Sequence, residues 1–138
     1  MVIINIKGRE IPLLYTTYEM LKIQEEIAPI STAISLVLGR NPDDKKDKSR
    51  YLSAEHLNAA AKLIKILGNA GLEESGQEPN LTDKGVMRAI KPVELGEMIN
   101  ACMEAMNEGM ESEIPAKQED RPVDVVLEEI EKKKEPGA

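Results

Sequence analysis

Residues 2–27 read VIINIKGREIPLLYTTYEMLKIQEEI, and this stretch decides the fold class. VIINIK is β-branched and loosely alternating, and Gly8-Arg9 separates it from a second apolar run, EIPLLY. Two short apolar runs around a glycine-bearing turn predict a β-hairpin. Pro12 has no N–H to give to a ladder, so its strand belongs at an edge, or the proline faces away from its partner. A lone two-stranded hairpin is marginal in water, so helices must cover it. Thr16-Thr17-Tyr18-Glu19 then forms a capping box, with a threonine oxygen for the N3 amide and Glu19 reaching back to the cap. The helix it opens carries Met20, Ile23 and Ile27 at helical spacing, with Lys22, Glu25 and Glu26 elsewhere on the cylinder.

Helices dominate the rest of the chain. Pro29 interrupts the first, and ISTAISLVL continues to Gly39 as a second, short and apolar enough to be buried on most sides. RNPDDKKDKS, residues 40–49, reads as a polar, aperiodic loop and the preferred nicking site. Ser53 caps a long helix expected over 54–70. Leu57, Ala60, Ala61, Ile64 and Leu67 form its stripe, Lys62 and Lys65 point elsewhere, and Gly68 and Gly71 end it. After the loop at 74–80, Thr82 caps a short helix through Ile90, and Pro92 suits the first turn of a helix over 92–108. Gly109 marks the end of the folded part. The expected architecture is α+β and mostly α-helical, an N-terminal β-hairpin packed on four to five helices. Residues 1–110 form the domain and 111–138 a flexible C-terminal tail: an acidic linker, then an amphipathic helix with Val123, Val126, Leu127 and Ile130 on one face.

Composition narrows the function classes. Tyr15, Tyr18 and Tyr51 are the only aromatic residues among 138, so the core must be aliphatic. A formal net charge of −7 argues against nucleic-acid partners, whose phosphates call for clustered Lys and Arg. One cysteine makes no internal disulfide, which fits a reducing cytoplasm. No run approaches the ~20 apolar residues of a membrane span, and the N-terminus has no signal-peptide pattern, so a soluble intracellular protein is expected.

Chemistry is sparse. His56 and Cys102 are the only histidine and cysteine; they stand on separate helices, and no cation lies near Cys102 in sequence to lower its pKa. Cys102 reads better as a small buried hydrophobe. Soft ligands are too few for a zinc site, no glycine segment has phosphate-loop spacing, and the carboxylates suit solvated helix faces. LTDKGVMRAIKPVELGEMI has a helix–turn–helix rhythm, yet Lys84, Arg88 and Lys91 are opposed by Asp83, Glu94 and Glu97, a poor patch for DNA. No enzyme activity, cofactor or metal is expected.

Surfaces remain. MINACMEAMNEGM, residues 98–110, holds four of the seven methionines and the cysteine. Leu95, Ile99, Cys102, Met106 and Met110 lie at offsets 0, 4, 7, 11 and 15, and Met98 and Met103 widen the stripe. Such a stripe either closes the core or stays partly open, and methionine adapts to many shapes at binding surfaces. The expectation is Leu95, Ile99 and Cys102 inward, with Met98, Met103, Met106 and Met110 available to a partner. Val123, Val126, Leu127 and Ile130 either dock on the domain or recruit a partner.

The order of parts resembles the tail assembly chaperones of long-tailed bacteriophages. The resemblance rests on VIINIKGREIPLLYTTYEMLKIQEEI, where strand, turn and strand run into a capped helix, and on IKPVELGEMINACMEAMNEGM, a proline-started, methionine-bearing helix near the end of the chain. Size, acidity and the polar extension add to it. The chain departs from many members in lacking Phe, with Leu13, Leu14 and Tyr15 in its place. The resemblance implies a non-enzymatic factor of the bacterial cytoplasm, absent from the mature virion, that self-associates and coats the tape measure protein. It further implies a frameshifted longer product that recruits the tail tube protein, and the run Lys132-Lys133-Lys134 is where a slippery site would fall. A structural head–tail connector or tail completion protein is the alternative, and no membrane or nucleic-acid partner is implied.

Overall fold

The structure, a computed structural model, describes residues 1–111. The tail segment expected to carry Val123, Val126, Leu127 and Ile130, and the lysine run beyond it, lie outside the described residues. The fold is α+β and mostly helical. Strands β1 (Ile3–Ile6) and β2 (Arg9–Pro12) form an antiparallel hairpin. Helices α1 (Thr17–Glu26), α2 (Ile30–Val37), α3 (Ala54–Glu74), α4 (Asp83–Ala89) and α5 (Leu95–Met110) follow, the last entered through a single 3-10 turn at Pro92–Glu94.

The hairpin turns through Lys7 and Gly8, both left-handed at φ 52° and 80°, a two-residue turn whose twist matches the strands. Alternation then divides the faces: Ile4, Ile6, Ile11 and Leu13 are buried, while Ile3, Asn5 and Glu10 face solvent. Each buried aliphatic side chain contributes about 1.5–3 kcal/mol. The capping box forms as expected, with the Thr16 N–H donating to the Glu19 carboxylate at 2.9 Å and the Thr16 oxygen accepting from the Tyr18 N–H at 3.3 Å. No residue of α2 is fully exposed, in keeping with its sequence.

Helix α3 is the hub, touching α1, α2, α4, α5 and β2. It runs through Gly68 and Gly71 to Glu74, so these glycines do not end it. They mark where the chain passes too close for a side chain. A Cβ on Gly71 would lie 1.7 Å from the Pro12 carbonyl oxygen, and one on Gly68 would lie 2.6 Å from Leu81 Cδ1. One residue earlier, the Leu67 carbonyl accepts a hydrogen bond from the Leu14 N–H at 3.1 Å, joining the end of the hairpin directly to the helix. Gly109 is likewise inside α5 rather than past its end, with the Tyr15 carbonyl 2.2 Å from where its Cβ would stand. The buried face of α3 also differs from the expected stripe: Leu57 is exposed, whereas His56, Ala59, Leu63, Ile66 and Leu72 join Ala60, Ala61, Ile64 and Leu67 inside.

The lysines expected to point elsewhere act as ties. Lys65 Nζ lies 2.7 Å from Glu26 on α1 and 3.0 Å from Asp83 at the start of α4, and Lys62 Nζ lies 2.7 Å from Asp83. The Lys62 hydrogen bond leads in holding Asp83 below the usual carboxylate range. Burial works against the Lys65 charge, but its bonds to Glu26 and Asp83 prevail and raise its pKa. These partly exposed pairs contribute little stability each; they fix the angle at which α1 and α4 meet α3.

The 40–49 loop is more regular than expected. Asn41, Asp44 and Asp47 each accept the N–H two residues on, from Asp43, Lys46 and Ser49. The Asn41 N–H closes the run on the Asp47 carbonyl at 3.0 Å. Side chains that bond their own backbone in this way build turns.

Candidate functional site

At about 100° per residue, Leu95, Ile99, Cys102 and Met106 fall on one narrow side of α5. All four are buried, with Met106 only 8 % exposed. Met106 therefore belongs to the core and not to the partner-binding set; its ring position centres it on the stripe that faces the domain interior. Met103 and Met110 lie together on one shoulder of that stripe, and Met98 on the other. All three are half-buried, packed against the core while keeping part of each side chain in solvent. The open methionine surface is thus two shoulders flanking a buried seam.

Other exposed apolar side chains escaped the sequence reading. Val93, on the 3-10 turn, is 85 % exposed. Tyr18 and Leu21 share the outer face of α1, with Lys22 Nζ 5.7 Å from the Tyr18 ring centre. Spacing gave no signal for them, since Tyr18 and Leu21 lie off the stripe of Met20, Ile23 and Ile27 and would pass for ordinary surface residues. Beside them an open groove of about 440 Å³ runs between α1 and the second half of α3, its walls including Leu14, Tyr18, Ile66 and Ala70. The ion pair of Glu26 and Lys65 crosses it, so it is only partly apolar.

The chemical groups lie inside the fold. Cys102 is fully buried, and burial alone pushes its thiol up to about 12. A native protein in neutral buffer should leave Cys102 unlabelled by a disulfide-exchange reagent over minutes, while guanidinium-unfolded protein reacts in full. Rapid labelling of the folded form would contradict this placement. Among the described residues no group of three or more His, Cys, Asp or Glu side chains could hold a metal ion.

His56 is structural. Its ring is buried, stacks against Tyr51 at 4.7 Å between centres, and accepts the Leu52 N–H at Nδ1 over 2.7 Å. That bond holds Leu52 in a left-handed conformation, φ 66°, just before Ser53 caps α3. Nε2 must then carry the proton; it is directed towards the Val37 carbonyl but makes no hydrogen bond. Burial leads in lowering the His56 pKa below 6.5. The unfolded chain therefore binds a proton that the native state refuses, so stability is complete above about pH 6.5 and falls as the pH drops. With a single histidine, the loss between pH 6.5 and 5.5 should approach one proton, up to about 1.4 kcal/mol per pH unit. Urea midpoints measured across this range check it, and a flat profile would show that His56 protonates freely in the fold.

Helix α4 packs chiefly on α3, so the helix–turn–helix rhythm does not become a paired motif with α5. Among the described residues, no helix is long and apolar enough to cross a membrane. No family model, curated protein or solved structure matches the chain.

Proposed function

We propose that this chain is a phage tail assembly chaperone that binds the tape measure protein and keeps it soluble until the tail tube forms. The supporting observation is the pair of methionine shoulders on α5. Met98, Met103 and Met110 are anchored in the core yet half-open, so a client can be contacted without unfolding the domain. Unbranched, polarizable side chains accommodate the changing apolar face of a long helical client. Burying the open part of one such side chain contributes roughly 1 kcal/mol at ~25 cal/mol per Å². A single site is therefore weak, and many copies along one client supply the avidity. No step of this activity calls for a nucleophile, a metal or a cofactor.

In this reading the chaperone acts in the bacterial cytoplasm, associates with further copies on the client, and leaves before the particle is complete. A longer frameshifted product would bring in tail tube subunits. Two measurements test it. Co-expression should move the tape measure protein from the pellet to the supernatant, in complexes with several copies of this chain per client by sedimentation. Mass spectrometry of purified virions should not detect the chain. Detection at a fixed copy number would instead make it a connector or completion protein.

A further inference from the structure

The hairpin has two edges, and they are treated differently. The Leu13 N–H bonds the Val2 carbonyl, and with the pairing of Ile4 to Ile11 and Ile6 to Arg9 this fixes which groups point inward between the strands. Glu10 and Pro12 then direct their main-chain groups to the outer edge of β2, and Ile3 and Asn5 direct theirs to the outer edge of β1. The β2 edge is closed: Pro12 has no N–H, its carbonyl abuts Gly71, and the next residue along that side, Leu14, donates to α3. The β1 edge carries none of these devices. Among the described residues nothing bonds the main chain of Ile3 or Asn5, and the Ile3 side chain is 55 % exposed. An open, β-branched edge of this kind is a template for another strand.

We infer that the β1 edge is covered by residues 123–127 of the same chain, added as an antiparallel third strand. Three observations choose this occupant. First, α5 delivers the chain beside the start of β1: the Met1 nitrogen is 3.8 Å from Glu108, and Gly109 lies against Tyr15, at the same end of the hairpin. Second, the reach suffices. Residues 112–122 span up to about 36 Å when extended, against about 17 Å for the length of β1. Third, the chemistry matches. VDVVL is the tail's most β-branched run, and the acidic residues Glu119, Asp120 and Asp124 would arrive at the Lys7 end of the edge. A tethered segment also outcompetes a second copy of the chain, because its effective concentration is of millimolar order. This inference is independent of the chaperone reading.

Amide hydrogen exchange of the full chain by NMR tests it. The Ile3 and Asn5 amides should exchange about 100-fold more slowly than open peptide amides. In the full-length double variant Val125→Pro/Val126→Pro, which removes an edge-facing N–H in either register, these two amides should return to open rates. The Ile4 and Ile6 amides, bonded within the hairpin, should stay slow and report an intact fold. Fast exchange at Ile3 and Asn5 in the wild type overturns the inference, as does protection that survives the double variant. Protection that fades on dilution would assign the edge to a second copy and also overturn it.

Discussion

Replacing Gly71 with alanine should destabilise the domain by about 3 kcal/mol and lower its melting temperature by roughly 10 °C. Two effects oppose each other here. Alanine is the better helix former, worth about 1 kcal/mol in a helix interior. The new methyl, however, would stand 1.7 Å from the Pro12 carbonyl oxygen, and the obstacle is backbone rather than a flexible side-chain tip. Relief requires the hairpin to move off α3, which strains the Leu14–Leu67 hydrogen bond and uncovers Ile11. The clash therefore outweighs the propensity. Asn58→Ala, at an exposed position of the same helix, should stay within about 0.5 kcal/mol of the wild type. Thermal melts of the two variants decide the matter, and an unchanged Gly71→Ala midpoint would mean that the hairpin does not sit on α3 as described.

The second large effect is at Met106. A glutamate there would place an unpaired carboxylate on the buried side of α5, at a cost of about 3–5 kcal/mol. Native domains are stable by only about 5–15 kcal/mol, so Met106→Glu should leave much of the protein unfolded or force the carboxyl to take up a proton. Glutamate at Met103 or Met110 has a route to water along its shoulder and should cost less than about 1 kcal/mol. Circular dichroism in urea separates these outcomes. A Met106→Glu protein as stable as Met103→Glu would show that the stripe turns outward.

What the sequence revealed depended on the range of the interaction. The hairpin, the Thr16–Glu19 box, the Ser53 and Thr82 caps and the Pro92 start are legible because each is settled within a few residues. Gly68, Gly71 and Gly109 misled for the complementary reason. Glycine at a helix end and glycine at a close crossing look alike until the crossing partner, Pro12 or Tyr15, is placed. The ties from Lys62 and Lys65 to Glu26 and Asp83 were illegible on the same grounds, since the partners come from three helices. On α5 the period correctly sent Leu95, Ile99 and Cys102 inward. Met106 was misassigned because residue type was given more weight than angle, although 106 follows 102 and 99 on the same face. The turns at Asn41, Asp44 and Asp47 carry a three-residue rhythm that a search for helix and strand periods passes over.

Client binding through the methionine shoulders is tested most directly by the double variant Met103→Glu/Met110→Glu, co-expressed with the tape measure protein and scored for client in the supernatant. Both side chains are half-exposed, so the variant should melt within a few degrees of the wild type. The result expected is a folded protein with at least about tenfold less soluble client, a loss of about 1.4 kcal/mol per site or less once avidity is counted. A folded variant that keeps the client as soluble as the wild type does would contradict it.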